Sequence, residues 1–167
     1  SLRSQGRAET GRWLHHDQMG YNYRLSELHS ALGVSQMSRI EEILKKREQV
    51  AQCYNKNLKN IDGVTIPWIH PKVTKMSWFI YVVTFDKRID RNRVMDLLND
   101  KGVDSKPYFT PIHLQPYMRK LFGFKEGDFP VTERVGNSTI ALPFYTKMEE
   151  WEVAYVCDTL KEIIGKF

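Results

Sequence analysis

The stretch that most restricts the fold is Trp78–Phe85, which reads WFIYVVTF. Each of its residues is aromatic or β-branched, and such side chains favour the pleated surface of a strand. An unbroken apolar run of this kind is typical of a strand that is covered on both faces. The sequence therefore predicts a sheet with this strand near its centre.

Shorter strands and several helices are predicted around this central strand. The other strands are expected at 64–66, 103–108 and 139–142. Helices are expected at 26–58 (one helix, or two with a bend at 33–38), 90–102, 118–122 and 151–164, with Ser26 and Asp90 as N-caps. The segment between 122 and 139, which contains Pro130, is expected to be polar. This order predicts an α/β fold, an α+β sandwich in which helices pack on a small, mostly antiparallel sheet.

The composition is that of a globular domain and excludes several other classes. Of 167 residues, 41% are hydrophobic and 27% are charged, which excludes a disordered, collagenous or disulfide-stapled chain. No apolar run approaches the ~20 residues that a membrane span needs, and no signal peptide is visible. Cys53 and Cys157 lie far apart in helical patterns, so we expect a reducing, cytoplasmic location.

The basic charge does not by itself indicate a partner. Lys and Arg number 25 against 20 Asp and Glu, a formal net charge of +5. The basic residues are scattered, and the tightest cluster, at 45–47, is bracketed by glutamates. Without a basic stripe or an RNA-binding aromatic motif, a nucleic-acid-binding domain is not favoured.

The common catalytic and metal-binding motifs are absent from the sequence. It contains no Gly-rich phosphate loop, no dinucleotide-binding fingerprint and no Gly-x-Ser-x-Gly turn. It also lacks Cys-x-x-Cys and His-Glu-x-x-His, and the dipeptide His15-His16 is a poor metal ligand pair. We therefore predict no metal site.

The first candidate segment for function is 20–26, GYNYRLS, directly ahead of the first long helix. Gly20 allows a close backbone approach, and Asn22 and Arg24 bring hydrogen-bond donors to a helix N-terminus, where an anion is favoured. A phosphate is the expected ligand. The alternative is a capped helix start with a surface arginine.

The second candidate segment is 106–113, KPYFTPIH, in which two prolines stiffen the loop. Rigid loops that present a tyrosine and a histidine are common at ligand sites, here Tyr108 and His113. The alternative is a structural loop whose histidine bonds a backbone carbonyl. Trp68 and Trp78 are interpreted as residues that pack in the core or in an interface.

Three stretches together resemble a known family. They are GYNYRLSELHSALG, followed by a helix with Arg47, then SKPYFTPIHLQPYM, and finally STIALPFYTKMEEWEVAYVCDTLKEI. In this order and spacing they are similar to the DegT/DnrJ/EryC1/StrS family of sugar aminotransferases, which are pyridoxal-phosphate (PLP) enzymes of the aspartate-aminotransferase fold (fold type I). Trp13 and His16 also fit the pattern. The resemblance implies that the chain forms the C-terminal small domain of that fold.

The resemblance assigns roles to individual residues. It implies that Asn22 reaches across a dimer interface to the cofactor phosphate, and that Arg24 lies near the nucleotide-sugar site. His113, and less directly Tyr108, are implied to face the substrate. Lys106 departs from the pattern, because relatives often carry an arginine there and lysine is not an equivalent anion ligand.

The family's Schiff-base lysine and the groups that hold the cofactor ring lie upstream of the first stretch. We therefore expect residues 1–25 to be an interface and active-site segment that follows an N-terminal cofactor domain, and residues 26–167 to be the small domain. No catalytic residue is predicted in this chain, and it is expected to be inactive alone. Its helix and loop lysines, Lys45, Lys101 and Lys106, are interpreted as solvated.

The activity that the resemblance implies is transfer of an amino group, from glutamate as the expected donor, to a nucleotide-linked keto-sugar. Such a reaction serves amino-sugar, polysaccharide or antibiotic-sugar biosynthesis. The implied enzyme is a cytoplasmic homodimer that binds neither nucleic acid nor membrane. Two alternatives remain open: relatives that replace the lysine perform dehydration, and the chain could be a non-catalytic binding, dimerisation or regulatory module.

Overall fold

A computed structural model describes residues 2–7 and 15–167. Trp13, which contributed to the family resemblance, lies outside the described residues. The chain divides into two compact units, Ser1–Glu41 and Glu42–Phe167. The first unit includes the helix that begins after Ser26, and the functional boundary predicted between 25 and 26 stays a prediction.

The sheet lies in the second unit and is antiparallel throughout. Within the described residues its four strands are β1 (Val64–Thr65), β2 (Tyr81–Phe85), β3 (Lys106–Pro107) and β4 (Thr139–Leu142), in the order β1-β2-β4-β3. β2 and β4 pair from Tyr81↔Leu142 to Thr84↔Thr139. The predicted interior position of the aromatic strand is therefore confirmed.

The central strand is shorter than predicted, and only one of its faces is fully buried. Tyr81, Val83 and Phe85 are buried, whereas the residues between them are half-buried. Trp78 lies ahead of the strand with a φ of +48°, a left-handed conformation that interrupts the extended backbone. The strand therefore begins at Tyr81.

The helices in the described part of the chain are α1 (Glu27–Met37), α2 (Ile40–Leu58), α3 (Arg91–Asp100), α4 (Pro116–Phe122), α5 (Pro130–Ser138) and α6 (Glu150–Ile164). The predicted caps are confirmed: the Ser26 side chain accepts from the His29 amide, and Asp90 accepts from Asn92 and Arg93. The long helical pattern is broken at Ser38, which favours the two-helix alternative.

The polar segment predicted between 122 and 139 contains a helix that was not predicted, α5. Pro130 is the first residue of α5, a position where its missing N–H costs nothing and its fixed φ suits the helix. The carboxylate of Glu133, one turn later, accepts hydrogen bonds from the amides of Gly127 and Phe129. Proline here starts a helix.

The core of the second unit contains a row of stacked aromatic rings. The ring of Tyr81 lies 4.6 Å from that of Tyr54 and 5.8 Å from that of Trp78, centroid to centroid. Trp78 is 1% exposed, which confirms its predicted packing role. Trp68 is 77% exposed and does not belong to the core, while an interface role for it stays a prediction.

No helix in ranges 2–7 and 15–167 is long and apolar enough to cross a membrane. The same residues contain no cluster of three or more His, Cys, Asp or Glu that could hold a metal ion. Cys53 is half-buried and Cys157 is buried, both as free thiols.

Candidate functional site

The GYNYR segment in the first unit is held in an extended conformation by the residues that begin the chain. The Tyr21 amide donates to the Leu2 carbonyl, and the Gln5 amide donates to the Tyr21 carbonyl, each at 2.8 Å. Ser4 and Asn22 face each other as an antiparallel bridge. The backbone of the motif is thus fixed by local pairing.

Gly20 is required where these two stretches of backbone cross. A Cβ on Gly20 would lie 2.2 Å from the amide nitrogen of Gly6, far inside van der Waals contact. Gly6 itself has a φ of +70°, and a Cβ there would lie 1.8 Å from the Gln18 carbonyl oxygen. The predicted role of Gly20 as a point of close backbone approach is therefore explained by a second glycine within the same unit.

The two predicted ligand residues of this segment contact each other. The Nε of Arg24 donates to the Oδ1 of Asn22 at 2.8 Å, and both side chains are exposed. This bond orients the amide of Asn22 with its oxygen toward Arg24, and it leaves the Asn22 NH₂ group and the other guanidinium N–H groups as donors. Asn22 and Arg24 together present donors and one positive charge, which is suitable chemistry for a phosphate or carboxylate.

The neighbouring tyrosines lie against each other. The rings of Tyr21 and Tyr23 are stacked 4.9 Å apart with planes 6° from parallel. Alternate residues of an extended segment point to opposite sides, so the tyrosines occupy one side and Asn22 and Arg24 the other. Both rings remain more than half exposed, at 58% and 68%.

In the second unit, His113 lies in a 3-10 turn, Ile112–Leu114, and is only 7% exposed. Its Nε2 is 2.9 Å from the Oε1 of Glu133, and because a carboxylate only accepts, the proton is on Nε2. The rings of Phe124 and Phe129 lie edge-on against the imidazole. Its partner is thus a carboxylate, where the structural alternative expected a backbone carbonyl.

Glu133 is a residue that sequence reasoning missed. Hydrogen bonds from the Gly127 amide, and next from His113, hold the pKa of this carboxyl below its ordinary value. Glu133 therefore stays ionised opposite His113. Glu133 lies in the first turn of α5, three residues after Pro130, a position where an acidic side chain is favoured. That position could have indicated its role, but the helix itself was not predicted.

Tyr108 and Phe109 form the start of the loop that leads to His113. Their rings are stacked 4.2 Å apart, Tyr108 is half-buried and Phe109 is 64% exposed. The Tyr108 carbonyl accepts from the Thr139 hydroxyl at 2.8 Å. Lys106, the departure from the family pattern, pairs with Asp104 at 2.7 Å on the surface.

Arg47 has a structural contact in this unit. Its guanidinium donates to the Trp78 carbonyl at 3.3 Å and to the Thr146 hydroxyl at 3.4 Å. The indole N–H of Trp78 donates to Glu48 at 2.5 Å. These bonds fix Trp78 against α2.

The structure thus brings Asn22 and Arg24 together in the first unit, and Tyr108 and His113 into one loop of the second. The ligand roles of all of them stay predictions. A family model described as the DegT/DnrJ/EryC1/StrS aminotransferase family matches residues 1–161. The chain belongs to this family.

Two curated relatives and one solved structure illustrate the similarity. The spore coat polysaccharide biosynthesis protein SpsC of Bacillus subtilis is 29% identical over 162 residues, which cover 94% of this chain and 41% of that protein. GDP-perosamine synthase of Escherichia coli O157:H7 is 26% identical over 147 residues, 88% of this chain and 38% of that protein. The chain thus spans about two-fifths of the length of the curated relatives it matches.

The fold of this family member is also that of a solved aminotransferase. Helicobacter pylori PseC, an aminotransferase involved in the biosynthesis of pseudoaminic acid, superposes with a TM-score of 0.85 at 22% identity. The superposition covers 99% of this chain and 45% of that one. The predicted fold class, helices on a small antiparallel sheet in a fold type I aminotransferase, is confirmed.

Proposed function

We propose that this family member is the C-terminal part of a PLP-dependent aminotransferase that acts on a nucleotide-linked keto-sugar. The observation that carries the proposal is the Asn22–Arg24 pair, which presents N–H donors and a positive charge inside the motif that the family resemblance assigned to the cofactor and the substrate. Glutamate is the expected amino donor.

The residues present fit the phosphate end of PLP. The oxygen of Asn22 is occupied by Arg24, so its NH₂ group is the part left to donate to a phosphate oxygen. Asn22 is exposed, as a residue must be if it serves the cofactor of a neighbouring subunit. When bound, PLP supplies the electron sink for amino transfer. In this proposal a separate N-terminal domain provides the lysine and the groups around the ring.

The substrate side of the proposal uses Arg24, Tyr108 and His113. A nucleotide-linked sugar carries a diphosphate, for which an exposed guanidinium is a suitable ligand. The name of the E. coli relative contains a GDP-linked sugar, and SpsC is named for polysaccharide biosynthesis. We extend the nucleotide-sugar class to this chain and place its action in the cytoplasm, as a homodimer.

The test is an assay of the intact protein with PLP, glutamate and a panel of GDP- and TDP-linked keto-sugars. We expect an amino-sugar and 2-oxoglutarate in equal amounts from at least one sugar. The matched control is the chain 1–167 alone, which should form neither product. Loss of the keto-sugar without consumption of glutamate would indicate dehydration, and absence of any turnover would favour a binding or regulatory module.

A further inference from the structure

Helix α5 and its C-cap contact the loop 108–113 at three positions, each three residues after the last. The first contact is the hydrogen bond between Glu133 and the ring of His113, at 2.9 Å. Because Glu133 also binds the amides of Gly127 and Phe129, its carboxylate is itself fixed in place. The end of the loop is therefore tied to the first turn of α5.

The second contact is at Gly136, where the loop lies directly on the helix. A Cβ on this buried glycine would lie 2.8 Å from the Phe109 carbonyl oxygen and 3.0 Å from the ring of Pro111. The carbonyl belongs to the backbone and cannot turn aside as a flexible side chain would. The middle of the loop thus requires a residue without a side chain at this point of α5.

The third contact is at Thr139, the C-cap of α5 and the first residue of β4. Its hydroxyl lies 2.8 Å from the Tyr108 carbonyl and 2.9 Å from that of Val135. The Thr139 carbonyl in turn accepts from Arg91 at 3.1 Å. Thr139 is 4% exposed, so this link between the start of the loop and the sheet is buried.

We propose that Glu133, Gly136 and Thr139 are positioning residues, which hold the loop 108–113 in the geometry that binds the sugar substrate. This proposal rests on the proposed function. The three contacts fix one side of the loop, whereas Phe109 and Ile112 are 64% and 65% exposed. A loop whose one side is fixed by the fold can present the other side to a ligand without further ordering.

Each test variant changes one of the three contacts between α5 and the loop. Thr139→Val keeps the volume of the side chain and removes the hydroxyl, whereas Thr139→Ser keeps the hydroxyl and is the conservative rescue. Gly136→Ala adds the colliding Cβ. Its matched control is Gly165→Ala, an exposed glycine with a helical φ of −62° at the C-cap of α6, where an added Cβ comes no closer than 3.5 Å to any atom. The Thr139 pair keeps the test valid if Gly136→Ala fails to fold.

Two readouts in the intact protein separate positioning from general stability. The first is amide hydrogen exchange in peptides that cover 108–115. The second is the KM for the best GDP- or TDP-linked keto-sugar beside the KM for glutamate. For Thr139→Val and Gly136→Ala we expect faster exchange in these peptides and a keto-sugar KM raised roughly 3- to 10-fold, because a displaced loop loses about one hydrogen bond to its ligand. The KM for glutamate should stay near that of the wild type, as should both values in Thr139→Ser and Gly165→Ala.

Two results would overturn the proposal. Unchanged exchange in both variants would show that α5 does not hold the loop. Faster exchange with both KM values unchanged, or changed in parallel, would show a merely structural contact. Failure of the proposed function is a distinct result: the wild-type protein would then transfer no amino group to any of the sugars, and the positioning role would fall with it even if exchange showed that the loop is held.

Discussion

The two units of the chain fix their predicted ligand residues by different means. In the second unit Tyr108 and His113 are held by a buried network behind the loop, which includes Glu133 and Thr139. In the first unit Asn22 and Arg24 contact each other but are exposed, and the helix that follows them, α1, has no buried residue.

This difference indicates what each unit needs in order to function. The second unit buries its own core and can orient its loop by itself. The apolar side chains of α1 are exposed instead, with Leu28 at 84% and Val34 at 72%. Exposed apolar residues at this density are typical of a surface that another protein covers. In the proposed enzyme, the side chains of the first unit would therefore gain their final order from the neighbouring subunit.

The largest predicted difference between the two units is in how much a substitution lowers the free energy of unfolding. Trp78→Ala in the chain 1–167 should lower the free energy of unfolding by about 3–5 kcal/mol, because it empties the buried aromatic row. Leu28→Ala in α1 should change it by less than about 0.5 kcal/mol, as expected for an exposed position. Urea unfolding followed by circular dichroism measures both. Equal losses would mean that α1 is packed as firmly as the core.

The next effect compares two helical glycines. Gly136→Ala should destabilise the chain 1–167 by about 1–3 kcal/mol, because the new Cβ meets the Phe109 carbonyl in a packed site. Gly33→Ala should instead stabilise it by roughly 0.5–1 kcal/mol, since alanine is the better helix former and nothing lies near its Cβ. Urea midpoints of the two variants would have opposite signs relative to the wild type. A stabilising Gly136→Ala would contradict the close approach of the loop.

The sequence was most informative where a structure is decided by neighbouring residues. The strand at 139–142 and the Ser26 and Asp90 caps follow from local patterns. Contacts between residues that are distant in sequence are visible only in the structure. Gly20 is constrained by Gly6 on another segment.

The other differences between the sequence-based predictions and the structure also arise from contacts between distant segments. Glu133 is separated from His113 by 20 residues, so the carboxylate partner was not visible from either motif. The composition suited a strand of eight residues, 78–85, but Trp78 has a left-handed backbone and its carbonyl accepts from Arg47 on α2. The strand therefore begins only at Tyr81. In the proposed enzyme, the N-terminal domain supplies most of the groups around the cofactor and the substrate. This chain alone therefore does not decide the ligand roles of Asn22, Arg24, Tyr108 and His113.

The smallest effect is a loss of stability in acid. The folded pKa of Glu133 is lowered below its ordinary 4.5, first by the Gly127 amide and then by His113. Its contribution is therefore complete above pH 4.5 and is lost as the pH falls through the folded value, because the unfolded chain takes up the proton first. Glu133→Gln should flatten this acid limb of a plot of stability against pH.

The control for this measurement is Glu152→Gln. The pKa of Glu152 is also lowered, first by the Glu149 amide at the start of α6, far along the chain from the loop. Both variants should flatten the acid limb, but only Glu133→Gln should speed amide exchange in 108–115. Faster exchange there in both variants would mean that the loop responds to global stability alone.

The most direct test of the central claim is the affinity of the intact protein for PLP after Asn22→Ala. The claim is that the exposed Asn22 amide serves a cofactor phosphate. Asn92→Ala, an exposed asparagine on α3, is the matched control. We predict that the Asn22 variant loses PLP on dialysis, with a Kd raised roughly tenfold, the loss of about 1.4 kcal/mol expected for one hydrogen bond to a charged group. An unchanged Kd in Asn22→Ala, equal to that of the control, would contradict the account.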